Sequence, residues 1–190
     1  MDDTPVLVIT GPSGVGKGTL IRELLARVPG AELSVSATTR PARPGEVNGR
    51  DYHFLDPVEF ERRAERGEFV EHAEYAGNRY GTLLSELQRP ASLIVLEIDL
   101  QGARQVRESM PEAVQVFVEP PEFDELERRL RGRGAETPRQ IARRLEVARG
   151  EMAARDEFRH HVVNRDVDTA AQALVDLAAS IRAPDSRNTL

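Results

Sequence analysis

Apolar residues fall along this chain in short unbroken runs, each followed by a stretch where they recur at helical spacing. Val6-Leu-Val-Ile9 ends in a glycine loop, as a strand buried on both faces does. Leu20, Leu24, Leu25 and Val28 then mark one face of a helix that Pro29-Gly30 stops. Leu93 to Ile98 and Val114 to Val118 read as further buried strands and His161 to Val163 as a shorter one, with helices expected over about 101 to 108, 123 to 131 and 169 to 182. Strands and helices alternating in this way predict a parallel sheet with crossover helices.

The middle of the chain has a different pattern. From Ser34 to about Thr82 it turns to short strands and turns, which predicts an inserted antiparallel lobe with a hairpin at Asn48-Gly49. One helix interrupts the lobe, with Asp56 as N-cap, Pro57 in the first helical position and Gly67 at its end. A second insertion follows Leu130, where Gly132-Arg133-Gly134 predicts a loop and Thr137-Pro-Arg-Gln140 a capping box opening a long helix. One domain over 1–190 is therefore expected. Its core takes in about 1–33, 83–131 and 151–182, its inserted lobe about 34–82, a second insert about 132–150, and a polar tail 183–190.

Composition narrows the chemistry. A length of 190 residues with 39% hydrophobic content suits one compact α/β domain. The net charge of -6 argues against a nucleic-acid partner, which needs a basic face. The absence of cysteine excludes disulfides and thiolate metal sites, and the four histidines show no metal-ligand spacing. Met1-Asp-Asp-Thr4 lacks the features of a signal peptide and no apolar run is long enough to span a bilayer, so a cytoplasmic location without membrane or obligate protein partner is expected. The charge is uneven. Residues 131–150 hold six arginines against two glutamates, a cluster that calls for an anion.

Of the 26 basic residues only Lys17 is a lysine, and it sits within Gly11, Pro12, Ser13, Gly14, Val15, Gly16, Lys17, Gly18 and Thr19. Strand, glycine loop, lysine and helix in that order form a phosphate-binding P-loop, whose backbone N–H groups and helix N-terminus face phosphate oxygens. An ammonium is a compact point charge, whereas a guanidinium is a planar fork too broad for such a loop. Gly18 stands where Ser or Thr usually offers a magnesium ligand, and Thr19 comes one residue later, so Mg²⁺ is expected to rest mostly on phosphate oxygens and water. A GTPase is excluded, because guanine selection by Asn-Lys-x-Asp needs a second lysine.

Further motifs follow. Ser34-Val-Ser-Ala-Thr-Thr-Arg40-Pro-Ala-Arg43-Pro-Gly-Glu-Val-Asn-Gly-Arg-Asp-Tyr52-His-Phe54, Glu71, Gly77-Asn-Arg-Tyr80-Gly-Thr82 and Gly132-Arg-Gly-Ala-Glu-Thr137 accompany the P-loop. Together they resemble guanylate kinase, of the nucleoside monophosphate kinase class, from the P-loop to Asn164. The resemblance implies an α/β P-loop three-layer fold with a central parallel sheet, a mixed α/β GMP-binding lobe and an Arg-rich helical lid. It also implies the reaction ATP + GMP ⇌ ADP + GDP with Mg²⁺, and dGMP as a further acceptor.

Residue by residue, the resemblance gives Arg40, Arg43, Tyr52 and Tyr80 to the GMP phosphate, a role two guanidinium forks on a proline-stiffened turn suit chemically. Glu71 takes the base, since guanine offers two donors on one edge and a carboxylate accepts both, with Ser36 and Thr82 beside it. Asp99, at a strand end, lies between nucleotide and Mg²⁺, with Glu97 one strand period away. Arg133 and Arg144 contact the transferring phosphate, the remaining arginines of 131–150 are surface ion-pair partners, and Asn164 lies near the donor's adenine. Two rival readings are a binding domain without catalysis and a P-loop kinase for another phosphorylated small molecule. The intact loop and arginine set argue against the first, and Glu71, Ser36 and Thr82 against the second.

Overall fold

The computed structural model describes residues 4–75, 77–132 and 137–182. Among these residues nine strands and six α-helices follow one another as β1 (Val6–Thr10), α1 (Lys17–Arg27), β2 (Ala31–Leu33), β3 (Ser36–Thr38), β4 (His53–Phe54), α2 (Pro57–Glu65), β5 (Phe69–Tyr75), β6 (Asn78–Leu83), β7 (Leu93–Glu97), α3 (Leu100–Ser109), β8 (Val114–Glu119), α4 (Phe123–Gly132), α5 (Pro138–Ala153), β9 (His160–Val163) and α6 (Val167–Arg182). Short 3₁₀ turns occupy Leu84–Gln88 and Arg155–Glu157. No helix among the described residues is long and apolar enough to cross a membrane.

Five strands form the central sheet in the order β2-β7-β1-β8-β9, every neighbouring pair parallel. Because side chains alternate along a strand, each apolar run feeds both faces. Leu7, Ile9, Leu93, Val95, Val116 and Val118 turn toward α1, α4, α5 and α6, where Leu20, Leu24, Leu126, Leu145 and Leu174 complete one core. Val6, Val8, Ile94, Leu96 and Phe117 face Ala103 and Val106 of α3 and Phe158. Helices on both faces of a parallel sheet make the three layers the resemblance implies. The edge strand β2, only three half-buried residues pairing with β7, carries no apolar run and was not expected.

A second sheet of four strands has the order β4-β3-β6-β5. It corrects the expectation of an antiparallel lobe, for β3 and β4 pair in parallel while β3–β6 and β5–β6 are antiparallel. Asn48-Gly49 likewise does not turn between two strands of a ladder. Gly49 N donates to Tyr52 O at 2.8 Å and Phe54 N to Asn48 Oδ1 at 2.8 Å, closing a local loop before β4. The hairpin of this sheet joins β5 to β6, where Tyr75 faces Asn78. Helix α2 begins as expected, the Asp56 carboxylate accepting from the amides of Val58 and Glu59 at 3.0 Å. Phe60 of α2 is fully buried against this sheet and stacks on Phe69 at 4.5 Å.

The two sheets meet at Glu86, a buried carboxylate in the turn after β6. It accepts from Val35 N at 2.8 Å and pairs with His53 Nε2 at 2.9 Å and Arg89 Nη1 at 3.2 Å. Burial works against the charge, but these hydrogen bonds outweigh it and hold the carboxyl below its usual range. A carboxylate with a depressed folded-state pKa stabilises above its unfolded pKa, and that stability is lost as pH falls through the folded value. Glu86→Ala is expected to cost about 1–3 kcal/mol at neutral pH, since it strands buried donors. The deficit against wild type should shrink on acidification below the ordinary carboxylate range, as denaturant melts at a series of pH values will reveal.

Candidate active site

The loop between β1 and α1 bends back over the sheet. Gly16 takes φ 102° at the N-terminus of α1, and a side chain there would meet Asn164 Nδ2 at 2.6 Å, so only glycine lets the backbone pass so close. Asn164, buried after β9, donates from Nδ2 to Val15 O at 2.8 Å. Arg129 of α4 grips the same loop, donating to Val15 O at 3.1 Å and to Asn164 O at 3.0 Å while Glu125 holds its Nε at 2.9 Å. The structure thus sets Asn164 and Arg129 as fasteners of the P-loop, a task the sequence does not reveal for either.

Lys17 folds back along the loop, its Nζ donating to Gly11 O at 2.6 Å and to Pro12 O at 3.4 Å. Burial lowers its pKa, opposed by the carboxylates of Glu97, Glu151 and Asp99, while Arg144 lowers it further. Asp99 sits where β7 runs into α3 and caps that helix, accepting from Gly102 N at 2.9 Å. Thr19 faces the other side of the loop in a cleft with Gly18, Arg22 and Glu97, and its Oγ1 accepts from Arg22 Nη2 at 3.4 Å.

Across the cleft, Ser36 of β3, Thr82 of β6 and Glu71 of β5 stand in one row of paired positions. A β-bulge makes the row. Between Phe69 and Glu71 strand β5 advances two residues against one on β6, so Glu71 rather than Val70 faces Thr82. Thr82 Oγ1 donates to Glu71 Oε1 at 2.8 Å, and Glu71 is only 5% exposed. Burial raises its pKa to about 7; the Thr82 hydrogen bond lowers it and nearby Asp99 raises it. Helix α3 closes over the carboxylate. Gln105 bonds His72 in both directions, at 2.8 and 3.0 Å, and this contact sets Gly102 so near that a Cβ would lie 2.5 Å from Glu71 Oε2.

Arg40 lies at the mouth of the lobe. Both oxygens of Glu46 accept from its Nη2, at 2.8 and 2.9 Å, and its guanidinium rests 5.3 Å over the Tyr52 ring. These Glu46 bonds keep the Arg40 pKa raised. Tyr52 and Tyr80 meet edge to face at 6.2 Å, and burial pushes the Tyr52 hydroxyl up. Arg43 is exposed and bonds Glu46 through its backbone, its N donating to Glu46 Oε2 at 2.7 Å and its O accepting from Glu46 N at 3.0 Å. Glu46 is a partner the sequence motif contains but did not single out.

From the far side, α5 brings Arg144 and Glu151 to the P-loop. Arg144 Nη2 donates to Ser13 Oγ at 2.6 Å, and Glu151 Oε2 accepts from Ser13 N at 3.4 Å. Burial raises the Glu151 pKa against the pull of Lys17 and the Ser13 amide. The expected capping box opens this helix, Thr137 and Gln140 bonding each other reciprocally. Arg131 pairs with Glu127 at 2.5 Å as a surface partner, but Arg149 does not follow that expectation and lies 4.9 Å over the Phe123 ring. Arg133 lies outside the described residues.

Gly11, Ser13, Lys17, Glu97, Asp99 and Glu151 share one cleft of about 430 Å³ with Ser36, Tyr52, Glu71 and Tyr80. Such a cleft joins a polyphosphate cradle to a buried carboxylate pocket, as a phosphotransferase with a small-molecule acceptor requires. Over residues 3–180 the sequence matches the profile of the family described as guanylate kinase. The chain belongs to the guanylate kinase family. Relatives include the guanylate kinase of Frankia casuarinae, 55% identical over 174 residues that cover 90% of this chain and 94% of that one. The guanylate kinase of Nostoc sp. is 54% identical over 173 residues, 89% of this chain and 86% of its own. Among solved structures, a guanylate kinase from Anaplasma phagocytophilum superposes with a TM-score of 0.76 at 32% identity, covering 96% of this chain and 88% of that chain. Within this guanylate kinase frame, Arg129, Gln105, Gly102, Glu46 and Glu151 are the neighbours of the expected site that sequence reasoning missed. All but Glu46, which lies in the same loop as Arg40, act through distances between elements, which no local pattern encodes.

Proposed function

We propose that this chain transfers the γ-phosphoryl group of ATP to GMP, giving ADP and GDP. One observation carries the reading: the P-loop with Lys17 opens onto a single cleft with Ser36 and with the buried Glu71 that Thr82 holds from behind. ATP phosphates lie along the loop amides of Gly11 to Thr19, and GMP enters the second sheet with its base toward Glu71, Ser36 and Thr82. An ionised Glu71 accepts both donors on the guanine edge. Adenine offers no such pair and would leave the carboxylate buried and unmatched.

The GMP phosphate is taken by Arg40, Arg43, Tyr52 and Tyr80. For Arg40 this means exchanging the Glu46 carboxylate, now held by Nη2 alone, for a phosphate that its two-nitrogen fork can grip. In-line transfer needs no covalent intermediate, so positioning and charge neutralisation suffice. Lys17, Arg40, Arg133 and Arg144 share the charge of the group in flight, and closure of the lid (about 132–150) over the lobe (about 34–82) excludes water. The oxygen donors around Lys17 fit magnesium, a hard cation: Thr19 beside the loop, and the carboxylates of Glu97 and Asp99. They would hold it largely through water, and when bound it supplies neutralisation of phosphate charge. We assign Asn164, which holds Val15 of the loop, to the donor-base side. We read the enzyme as cytoplasmic, without a nucleic-acid or obligate protein partner, and dGMP as a second acceptor.

A coupled ADP-release assay across GMP, dGMP, AMP, CMP and UMP tests this. Turnover is expected with GMP and dGMP, at least about a hundredfold above the others in kcat/KM, the scale on which a site built for hydrogen-bonding donors rejects an analogue lacking them. No ATP consumption with GMP, or equal use of another monophosphate, overturns the reading.

A further inference from the structure

Three carboxylates, Glu97, Glu151 and Asp99, line the same cleft as Lys17 and act on its ammonium, with Arg144 the opposing charge, so negative charge gathers where a polyphosphate must bind. Two, Glu97 at the end of β7 and Asp99 at the start of α3, are themselves the oxygen donors suited to a cation. Glu151 is different. It rides on α5, two helical turns beyond Arg144, and both side chains meet the same loop residue, Ser13. Its face of the helix is fixed by Ile141, Leu145 and Ala148, which bury in the core shared with α4 and α1. The carboxylate therefore takes up a P-loop amide, the kind of donor that such a loop offers to phosphate.

We propose that Glu151 is a displaceable stand-in for donor phosphate: its carboxylate holds α5 against the P-loop at Ser13, and incoming phosphates expel it and release the helix. At 3.4 Å the bond from Ser13 N is beyond the usual 2.7–3.2 Å range for an N–H donor, so it is a weak hold that a phosphate oxygen can replace. Repulsion between the two anions, in a site partly shielded from water, supplies the force. Arg144, two turns earlier on α5, is drawn toward the phosphate that pushes Glu151 away. Opposite charges on one helix face thus convert phosphate entry into a rotation or shift of α5. Glu151 is a positioning residue in this scheme, acting through the loop and the helix.

The proposal rests on ATP being the donor, and its test separates the two. Glu151→Gln keeps shape and hydrogen-bonding capacity and removes the charge. Calorimetric titration of the full chain at fixed ionic strength, with ADP, inorganic tripolyphosphate and GMP in turn, is expected to show at least about threefold tighter binding of the first two, with GMP within twofold. Glu151→Asp, which keeps the charge on a shorter arm, should stay nearer wild type than the Gln variant. Thermal melts of each variant verify that it is folded. Unchanged or weaker binding of tripolyphosphate by Glu151→Gln overturns the proposal, as does an equal gain for GMP. A wild type that binds tripolyphosphate but neither ADP nor GMP would instead remove the assignment of donor and acceptor, leaving the tripolyphosphate comparison to judge Glu151.

Discussion

Lys17→Arg is expected to lose at least about a hundredfold in kcat, although it preserves the charge of the loop. The Lys17 ammonium sits 2.6 Å from Gly11 O and 3.4 Å from Pro12 O, inside the curve of its own loop. A single nitrogen on a flexible stem fits there. A guanidinium carries three nitrogens in a plane and cannot enter without pushing aside backbone donors or the neighbouring carboxylates. Misplacing reacting groups by about 1 Å costs on the order of a hundredfold in rate. Lys17→Met should be comparably inactive, for it removes the charge and keeps the stem. GMP should still bind both variants, its phosphate being assigned to Arg40 and Arg43 in the loop between β3 and β4, away from the P-loop. Turnover of the two variants with GMP titrated into each decides the matter. Near-wild-type kcat in Lys17→Arg would mean that charge alone matters at this position.

The fold elements that sequence reveals best are those whose signal is local and redundant. In β1, the P-loop and α1, an apolar run, a glycine loop, a lone lysine and a helical apolar stripe all agree. The caps at Asp56 and Thr137 are equally legible, because each bond spans three residues or fewer. Pairing partners are another matter. Asn48-Gly49 signals a chain reversal, yet which strands a reversal joins depends on distant residues, and here β4 returns alongside β3 in parallel. The three residues of β2 are held by their neighbour β7 and have no pattern of their own.

The same division runs through the site. A motif can mark Glu71, but not the bulge that turns it toward Thr82 or the helix whose Gly102 closes over it. Arg129, Gln105 and Glu151 look like ordinary charged or polar residues on amphipathic helices. Only the packing of α4, α3 and α5 against the sheets brings them to the P-loop and to β5.

Glu71→Gln should weaken GMP use by about 2–4 kcal/mol, the range for losing charge-assisted hydrogen bonds in a desolvated site. AMP use should change far less, since adenine has no paired donors for the carboxylate to accept. Acidity provides a second handle. With a pKa near 7 in the free protein, Glu71 is protonated over part of the neutral range, and a protonated carboxyl cannot accept both guanine donors. GMP affinity of the wild type is therefore expected to fall by about tenfold between pH 8 and pH 6, more steeply than that of Glu71→Gln, whose own profile removes the contribution of the GMP phosphate.

Stability should move the other way. The folded chain keeps a proton on Glu71 up to about pH 7, whereas the unfolded chain releases it near the ordinary carboxylate value, so this group lowers stability as pH rises across that window. Glu71→Gln is expected to melt higher than wild type at pH 8, and an enzyme that is more stable but poorer with GMP is what a binding carboxylate predicts. Gly102→Ala reaches the same carboxylate without touching it chemically. Its Cβ would lie 2.5 Å from Glu71 Oε2 and must push aside a group that Thr82 holds in place. It should raise the KM for GMP at least about tenfold while leaving that for ATP within twofold. If both variants retain wild-type KM and kcat with GMP, the base is read elsewhere and the buried Glu71–Thr82 pair only joins β5 to β6.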